Sequence, residues 1–369
     1  MHIASMLSGD HLVELVKTVA IFLVVLSVLI AFHEWGHFLA ARLLGVKVLT
    51  YSIGFGPKLW RRQSGETEYC LSAIPLGGYV RLFGDDPNET IDPADQARAF
   101  LHQPTLNKLA IVAAGPFFNL LLAFIFFFGL NMVGMPQHMP VLGEISPDSP
   151  AQRAGFHAGD RVETINGTPV KRWEQMTELI EQLAGQATEV VVLRDGTQLT
   201  VTVTPAAVEK PTLPFGEVRK VGQIGVRDGG VYENIRLNPL DAFTEGLGMT
   251  GHWTFLTVVS LGKMVEGVVP LKEVGGPILI AQVSAKAAEA GLPNLILFMA
   301  IISVNLAVLN FLPIPVLDGG HIFFFLIEAV IGRPLTLRTK EMAQRVGIAL
   351  LLMLMILAFS NDLLRLFGS

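Results

Sequence analysis

Residues 18–41 read TVAIFLVVLSVLIAFHEWGHFLAA, an apolar run broken by Ser27 and then by His33, Glu34 and His37. At about 1.5 Å of helix rise per residue, the run can cross a hydrocarbon core about 30 Å thick. A cleaved signal peptide is the competing reading. Its apolar core is usually shorter, and no clean small-residue cleavage site precedes the polar cluster. The stretch therefore predicts a membrane span with ionisable groups late in it. Such groups cost roughly 2.5 kcal/mol or more near the middle of a bilayer, which makes them functional candidates.

Three further apolar runs lie downstream. Residues 109–135 contain the segment Gly115-Pro116-Phe117-Phe118-Asn119. Residues 295–331 contain Asp318, His321 and Glu328 and are interrupted by Pro313 and Pro315. That run exceeds one span, so a helix, a break and a second helical piece are expected. The fourth covers residues 346–366. Composition agrees: 51% of residues are hydrophobic and only 16% charged, against about 25% charged in soluble domains. A net charge of −5 without a basic tract excludes a nucleic-acid partner. The single cysteine, Cys70, excludes an internal disulfide and a cysteine-built metal site, leaving histidine and carboxylate as ligands.

Orientation follows from the short loops. Arg42, Lys47, Lys58, Arg61, Arg62, Arg81, Arg98 and Lys108 fall between the first two spans. Arg333, Arg338, Lys340 and Arg345 fall between the last two. By the positive-inside rule both loops are cytoplasmic and both termini lie outside. The first and third spans then run in the same direction, so the His33–His37 cluster and Asp318 lie toward the same side. Between Arg42 and Lys108, alternating segments with Gly54, Gly56, Gly77 and Gly78 predict a β-hairpin-like element against the membrane.

His33-Glu34-Trp35-Gly36-His37 fits H-E-x-x-H. Positions i and i+4 share a helix face, so both imidazoles can reach one metal ion, with Glu34 beside them to take a proton from water. Zinc suits nitrogen and oxygen ligands, and a catalytic zinc keeps three protein ligands with one position open. Asp318 in Leu317-Asp318-Gly319-Gly320-His321 is the best third ligand, because a carboxylate at membrane depth needs a partner or a metal. His321 is its rival. Asn305 and Asn310 precede the break at Pro313, where freed backbone groups could receive an extended substrate. Hydrogen bonding between helices is the competing reading for Asn305 and for Asn119.

These motifs resemble the site-2 protease family of intramembrane zinc metalloproteases, in particular the bacterial regulator-of-sigma-E protease type. H-E-x-x-H is matched at His33–His37. Asn310-Phe311-Leu312-Pro313-Ile314-Pro315-Val316-Leu317-Asp318-Gly319-Gly320-His321 matches N-x-x-P-x-P-x-L-D-G-G-H. The segment Gly115–Asn119 and the four-span order agree as well, so the resemblance covers nearly the whole chain. It implies that His33, His37 and Asp318 bind Zn2+, that Glu34 is the catalytic base and that Asn310 helps to bind substrate. The expected substrates are single-span membrane proteins in the bilayer, such as anti-sigma factors shortened by an upstream site-1-type protease, or remnant signal peptides. The expected location is the bacterial cytoplasmic membrane.

Residues 139–207 carry strand, turn and helix signals, including Ser149-Pro150-Ala151, Gly159-Asp160-Arg161 and Asp195-Gly196. They resemble a PDZ domain, a module that accepts extended C-termini by strand addition. A size filter that binds no peptide is equally open. The regulator-of-sigma-E type commonly carries two such domains in tandem; one is legible here. Residues 208–293 are expected to be an extracytoplasmic linker with an amphipathic helix marked by Phe243, Leu247, Leu256 and Val259. The fold expected is a polytopic α-helical membrane protein: a first membrane half (1–135), the inserted PDZ-like αβ domain, this linker, and a second membrane half (294–369). The rival functions are a catalytically silent membrane adaptor built around the PDZ-like domain, and a metal-dependent transporter. An adaptor has no need of Glu34, and a histidine pair beside a base suits hydrolysis better than release of an ion.

Overall fold

The computed structural model describes residues 9–86, 89–212 and 217–367. They fall into two compact units, one of residues 9–130, 243–261 and 270–367, the other of residues 131–242 and 262–269. Four helices are long and apolar enough to cross a membrane: α1 (Gly9–Leu43), α2 (Thr105–Val133), α7 (Leu292–Phe311) and α9 (Leu337–Phe367). The chain is a membrane protein. Leu12, Val16, Val24 and Val28 of α1 are all exposed, as suits a helix whose surroundings are acyl chains rather than water. Helix α9 starts nine residues before the apolar run expected at 346–366. Arg338, Lys340, Glu341 and Arg345 are adequate helix formers, so hydropathy marks only the apolar part of the helix.

In the first unit, Val25 and Leu29 of α1 pack with Leu122 of α2 and Met299 of α7. Between α1 and α2 the chain forms one long antiparallel hairpin, β1 (Val48–Ser64) with β2 (Thr67–Leu82). Its ladder is irregular, and Gly54 and Gly56 adopt positive φ there. The Tyr51 hydroxyl donates to the Ala31 carbonyl at 2.7 Å, strapping the hairpin to α1 two residues before His33. Phe38, Tyr51 and Tyr69 pack edge to face over the same join.

The apolar run at 295–331 is split as its prolines require. Helix α7 ends at Phe311, and α8 (Asp318–Ile331) begins only after the segment 312–317. Asp318 opens this second helical piece. Val316, two residues earlier, holds φ at 114°. A β-branched residue is strained in that region, by roughly 1–3 kcal/mol. Asp362 of α9, almost fully buried, accepts from the backbone amides of Gly276, Ile278 and Leu279, capping α6 (Pro277–Glu289).

The second unit is built on a four-stranded sheet, in order β6 (Thr168–Pro169), β5 (Arg161–Ile165), β7 (Thr188–Arg194) and β8 (Thr197–Val203). Helix α4 (Trp173–Gln182) buries Met176 and Ile180 against it, and α3 (Pro150–Ala154) is capped by Ser149. Asp160 is wholly buried. Burial alone would push its carboxyl up, but the Arg194 guanidinium and the His157 amide hold it below the usual carboxylate range. The unit extends past the boundary expected at 207. Strand β4 (Leu142–Ile145) pairs with β11 (Val226–Asp228), and Ile224 lies in the core with Val162 and Val192. An isolated β4 would leave a bare edge and uncovered apolar surface, and β11 supplies both closures. Strands β9 (Ala206–Thr212) and β10 (Glu217–Gln223) pair antiparallel, as do β3 (Met135–His138) and β12 (Tyr232–Ile235), with His138 opposite Tyr232.

Helix α5 (Pro239–Val265) is capped by Asn238, whose side chain accepts from the Leu240 and Asp241 amides. Within the first unit its residues Met249, Trp253 and Leu261 pack on α2 and α7. Phe243 and Leu247, on the expected amphipathic face, remain largely exposed, and a separate stripe through Met249, Trp253 and Leu261 packs on protein.

Candidate metal centre

Helix α1 brings His33 and His37 to one face, a turn apart, and α8 offers Asp318 from its first residue. The His33 Nε2 atom lies 3.2 Å from His37 Nε2 and 3.0 Å from Asp318 Oδ2, while His37 Nε2 lies 3.5 Å from Asp318 Oδ1. Among the described residues these three alone gather metal-ligating atoms within 4.8 Å of one another. His33 is buried, and Asp318 Oδ2 is buried with no donor in hydrogen-bonding geometry. An oxygen 3.0 Å from a ring nitrogen, yet poorly aligned for a hydrogen bond to it, suits a shared ion better than a shared proton.

The surroundings fit the same reading. His37 Nδ1 donates to the Ile111 carbonyl at 2.9 Å, which leaves its Nε2 lone pair free for a metal. Helix α2 passes behind the cluster at Gly115. A Cβ there would lie 2.2 Å from His37 Nε2 and 2.8 Å from His33 Nε2. Gly36 serves the same approach from α1, since a Cβ on it would meet the Ala114 carbonyl oxygen at 2.4 Å. Two imidazoles and a carboxylate in a glycine-lined recess match the donor set of zinc.

The Gly115→Ala substitution is expected to weaken zinc binding about 100-fold, because a methyl group displaces both ring nitrogens. Gly129, on the same helix, has open space around its missing Cβ. The Gly129→Ala chain is expected to bind zinc like the parent. Chelator competition on both purified variants checks the pair.

Glu34, between the two histidines in sequence, lies against β2. A Cβ on Gly78 would come 3.0 Å from Glu34 Cγ. His321 is exposed and outside the cluster. Asn305 is also apart from it: its Oδ1 accepts from the Thr257 hydroxyl of α5 at 2.7 Å, a bond between helices. Asn310 is half-buried in the last turn of α7, without a side-chain hydrogen-bond partner among the described residues, and Pro313 is exposed in the break. Sequence reading missed Ile111 and the close approach at Gly115, whereas Asn119 makes a bond between helices, its Nδ2 lying 3.2 Å from His33 Nδ1. The four-residue spacing of Gly115 and Asn119 was the available signal, because it sets both on one face of α2.

The model for peptidase family M50 matches residues 21–354. A protein of Campylobacter jejuni named as a zinc metalloprotease is 38% identical, over 93% of this chain and 92% of its own length. One of Mesorhizobium japonicum, named likewise, is 38% identical over 94% of this chain and 98% of its own. The protease RseP of Yersinia pestis is 31% identical over 96% of this chain and 100% of its own.

Proposed function

The chain belongs to peptidase family M50 and is a zinc metalloprotease, and from that premise we propose that it cleaves single-span membrane proteins within the bilayer. The observation that carries this reading is the convergence of His33, His37 and Asp318 from helices of the membrane unit. Family membership, with Glu34 present beside the histidines, tells against the silent adaptor.

In this reading His33 and His37 hold zinc through Nε2, and Asp318 through its carboxylate. Zinc there supplies Lewis acidity toward water and the scissile carbonyl. Glu34 accepts the proton of the attacking water and passes it to the departing amine nitrogen as the peptide C–N bond breaks. Asn310 and the backbone freed by Pro313 receive the substrate as an extended strand, since a peptide bond inside a helix is hidden by its own hydrogen bonds. Asn305 serves substrate only indirectly, by fixing α7 to α5. Substrates of the anti-sigma-factor or remnant-signal-peptide type suit this site, after an upstream protease has shortened them. The proposed setting is the bacterial cytoplasmic membrane, with both termini outside.

The unit of residues 131–242 reads as a PDZ-like gate. In support, a cavity of about 240 Å³ lies between α4, at Trp173, Met176 and Ile180, and the segment Gln223–Val226. Among the described residues β11 pairs only with β4, which leaves an edge for strand addition.

Reconstitution with a single-span substrate tests the core of the proposal. Cleavage inside the span that stops on chelation and returns with zinc is expected. Cleavage only outside the span, or unaffected by chelation, would refute it. The gate has its own test. His138 and Tyr232 are cross-strand partners, so residues 139–231 can be replaced by Asn-Gly as a two-residue hairpin turn. The shortened protein is expected to cut substrates whether or not their external domain has been removed, whereas the parent cuts only the trimmed form. If it cuts neither while still holding zinc, the unit recruits substrate rather than excluding it.

A further inference from the structure

We propose that Asn119 is the positioning residue of His33, setting which of its ring nitrogens carries the proton. The inference rests on the zinc-ligand reading above. A histidine that binds metal through Nε2 keeps its proton on Nδ1, and that proton needs an acceptor. For His37 the acceptor is the Ile111 carbonyl. For His33 the neighbouring group is the side-chain amide of Asn119, whose Nδ2 lies 3.2 Å from His33 Nδ1.

Asn119 is 1% exposed and held in place from a second helix: the Ser303 hydroxyl of α7 donates to its backbone carbonyl at 2.7 Å. Its Oδ1 is buried without a partner, a costly arrangement for an amide oxygen. A half-turn about Cβ–Cγ exchanges the two ends of the amide and brings Oδ1 to His33 Nδ1. The two orientations have opposite consequences. With nitrogen toward the ring, the amide donates to a bare Nδ1, and the ring proton sits on Nε2, where it opposes a metal. With oxygen toward the ring, the amide accepts from Nδ1–H, and the Nε2 lone pair faces His37 Nε2 and Asp318. Only the second orientation serves a ligand. Asn119 thus does for His33, through a side chain, what the Ile111 carbonyl does for His37 through the backbone.

Zinc affinity of the full-length chain in detergent, measured by chelator competition, tests the assignment across four variants. Asn119→Ala and Asn119→Leu are expected to hold zinc about 10–100-fold more weakly than the parent. Asn119→Asp, whose carboxylate only accepts, is expected to hold it at least as tightly as the parent. A purely structural amide would not be rescued in this way. Parental affinity in Asn119→Leu would overturn the proposal. So would weak binding by Asn119→Asp when its zinc-free form melts at the parental temperature. If Asn119→Leu fails to fold, the aspartate variant decides alone. His33→Ala separates the two levels: unchanged zinc affinity there refutes the ligand reading itself, whereas loss there with parental binding in the Asn119 variants refutes only the role of Asn119.

Discussion

Glu34→Gln is expected to lower turnover of a single-span substrate by about 10³-fold while zinc content stays at the parental level. Glutamine has nearly the same shape as glutamate, so the packing against Gly78 and the position of α1 are kept. The amide cannot accept a proton, and the attacking water then keeps both of its own. His33, His37 and Asp318 are untouched, and their ligating atoms remain within 4.8 Å of one another. Metal content per chain, by atomic spectroscopy, and initial cleavage rates should be measured on the same preparation. Parental turnover would remove Glu34 from the mechanism. A simultaneous loss of zinc would mean that the carboxylate supports the metal rather than the proton transfer.

Asp318→Asn should act on the metal first. Its carboxylate oxygens lie 3.0 Å from His33 Nε2 and 3.5 Å from His37 Nε2, and a neutral amide is a poor zinc ligand. Zinc affinity should fall by more than the roughly 10–100-fold typical of a lost outer partner, and activity should fall with it. His321→Ala is the paired control. His321 is exposed, one turn along α8 and outside the cluster, so its removal should leave zinc in place. If His321→Ala strips the metal and Asp318→Asn does not, the third ligand has been misassigned.

The membrane half was legible because its signals are local. Apolar length set the four spans, prolines 313 and 315 set the break, and i, i+4 spacing set the histidine pair. What escaped was decided by distant contacts. Nothing near residues 142–145 announces that Val226–Asp228 will complete their pairing. The Ile111 carbonyl carries no mark in a sequence at all. The face of α5 that packs on protein went unmarked for a different reason. In water, burial and hydrophobicity go together, but beside lipid an exposed Phe243 costs little, so apolar periodicity no longer says which side meets protein. The stripe through Trp253 and Thr257 is recognisable instead by polar contact, the Thr257–Asn305 bond.

The two halves of the metal cluster lie far apart in the chain, and synthesis is directional. His33 and His37 leave the ribosome early, whereas Asp318 follows some 280 residues later. At roughly 5–20 residues per second that interval is about 15–60 s. Throughout it, a nascent chain already threaded into the membrane carries the histidine pair and Glu34 but not the carboxylate. On the proposed ligand assignment, a translation product that stops before residue 318 lacks the third ligand. On that assignment the metal site closes only once α8 has been made, long after the hairpin and the second unit.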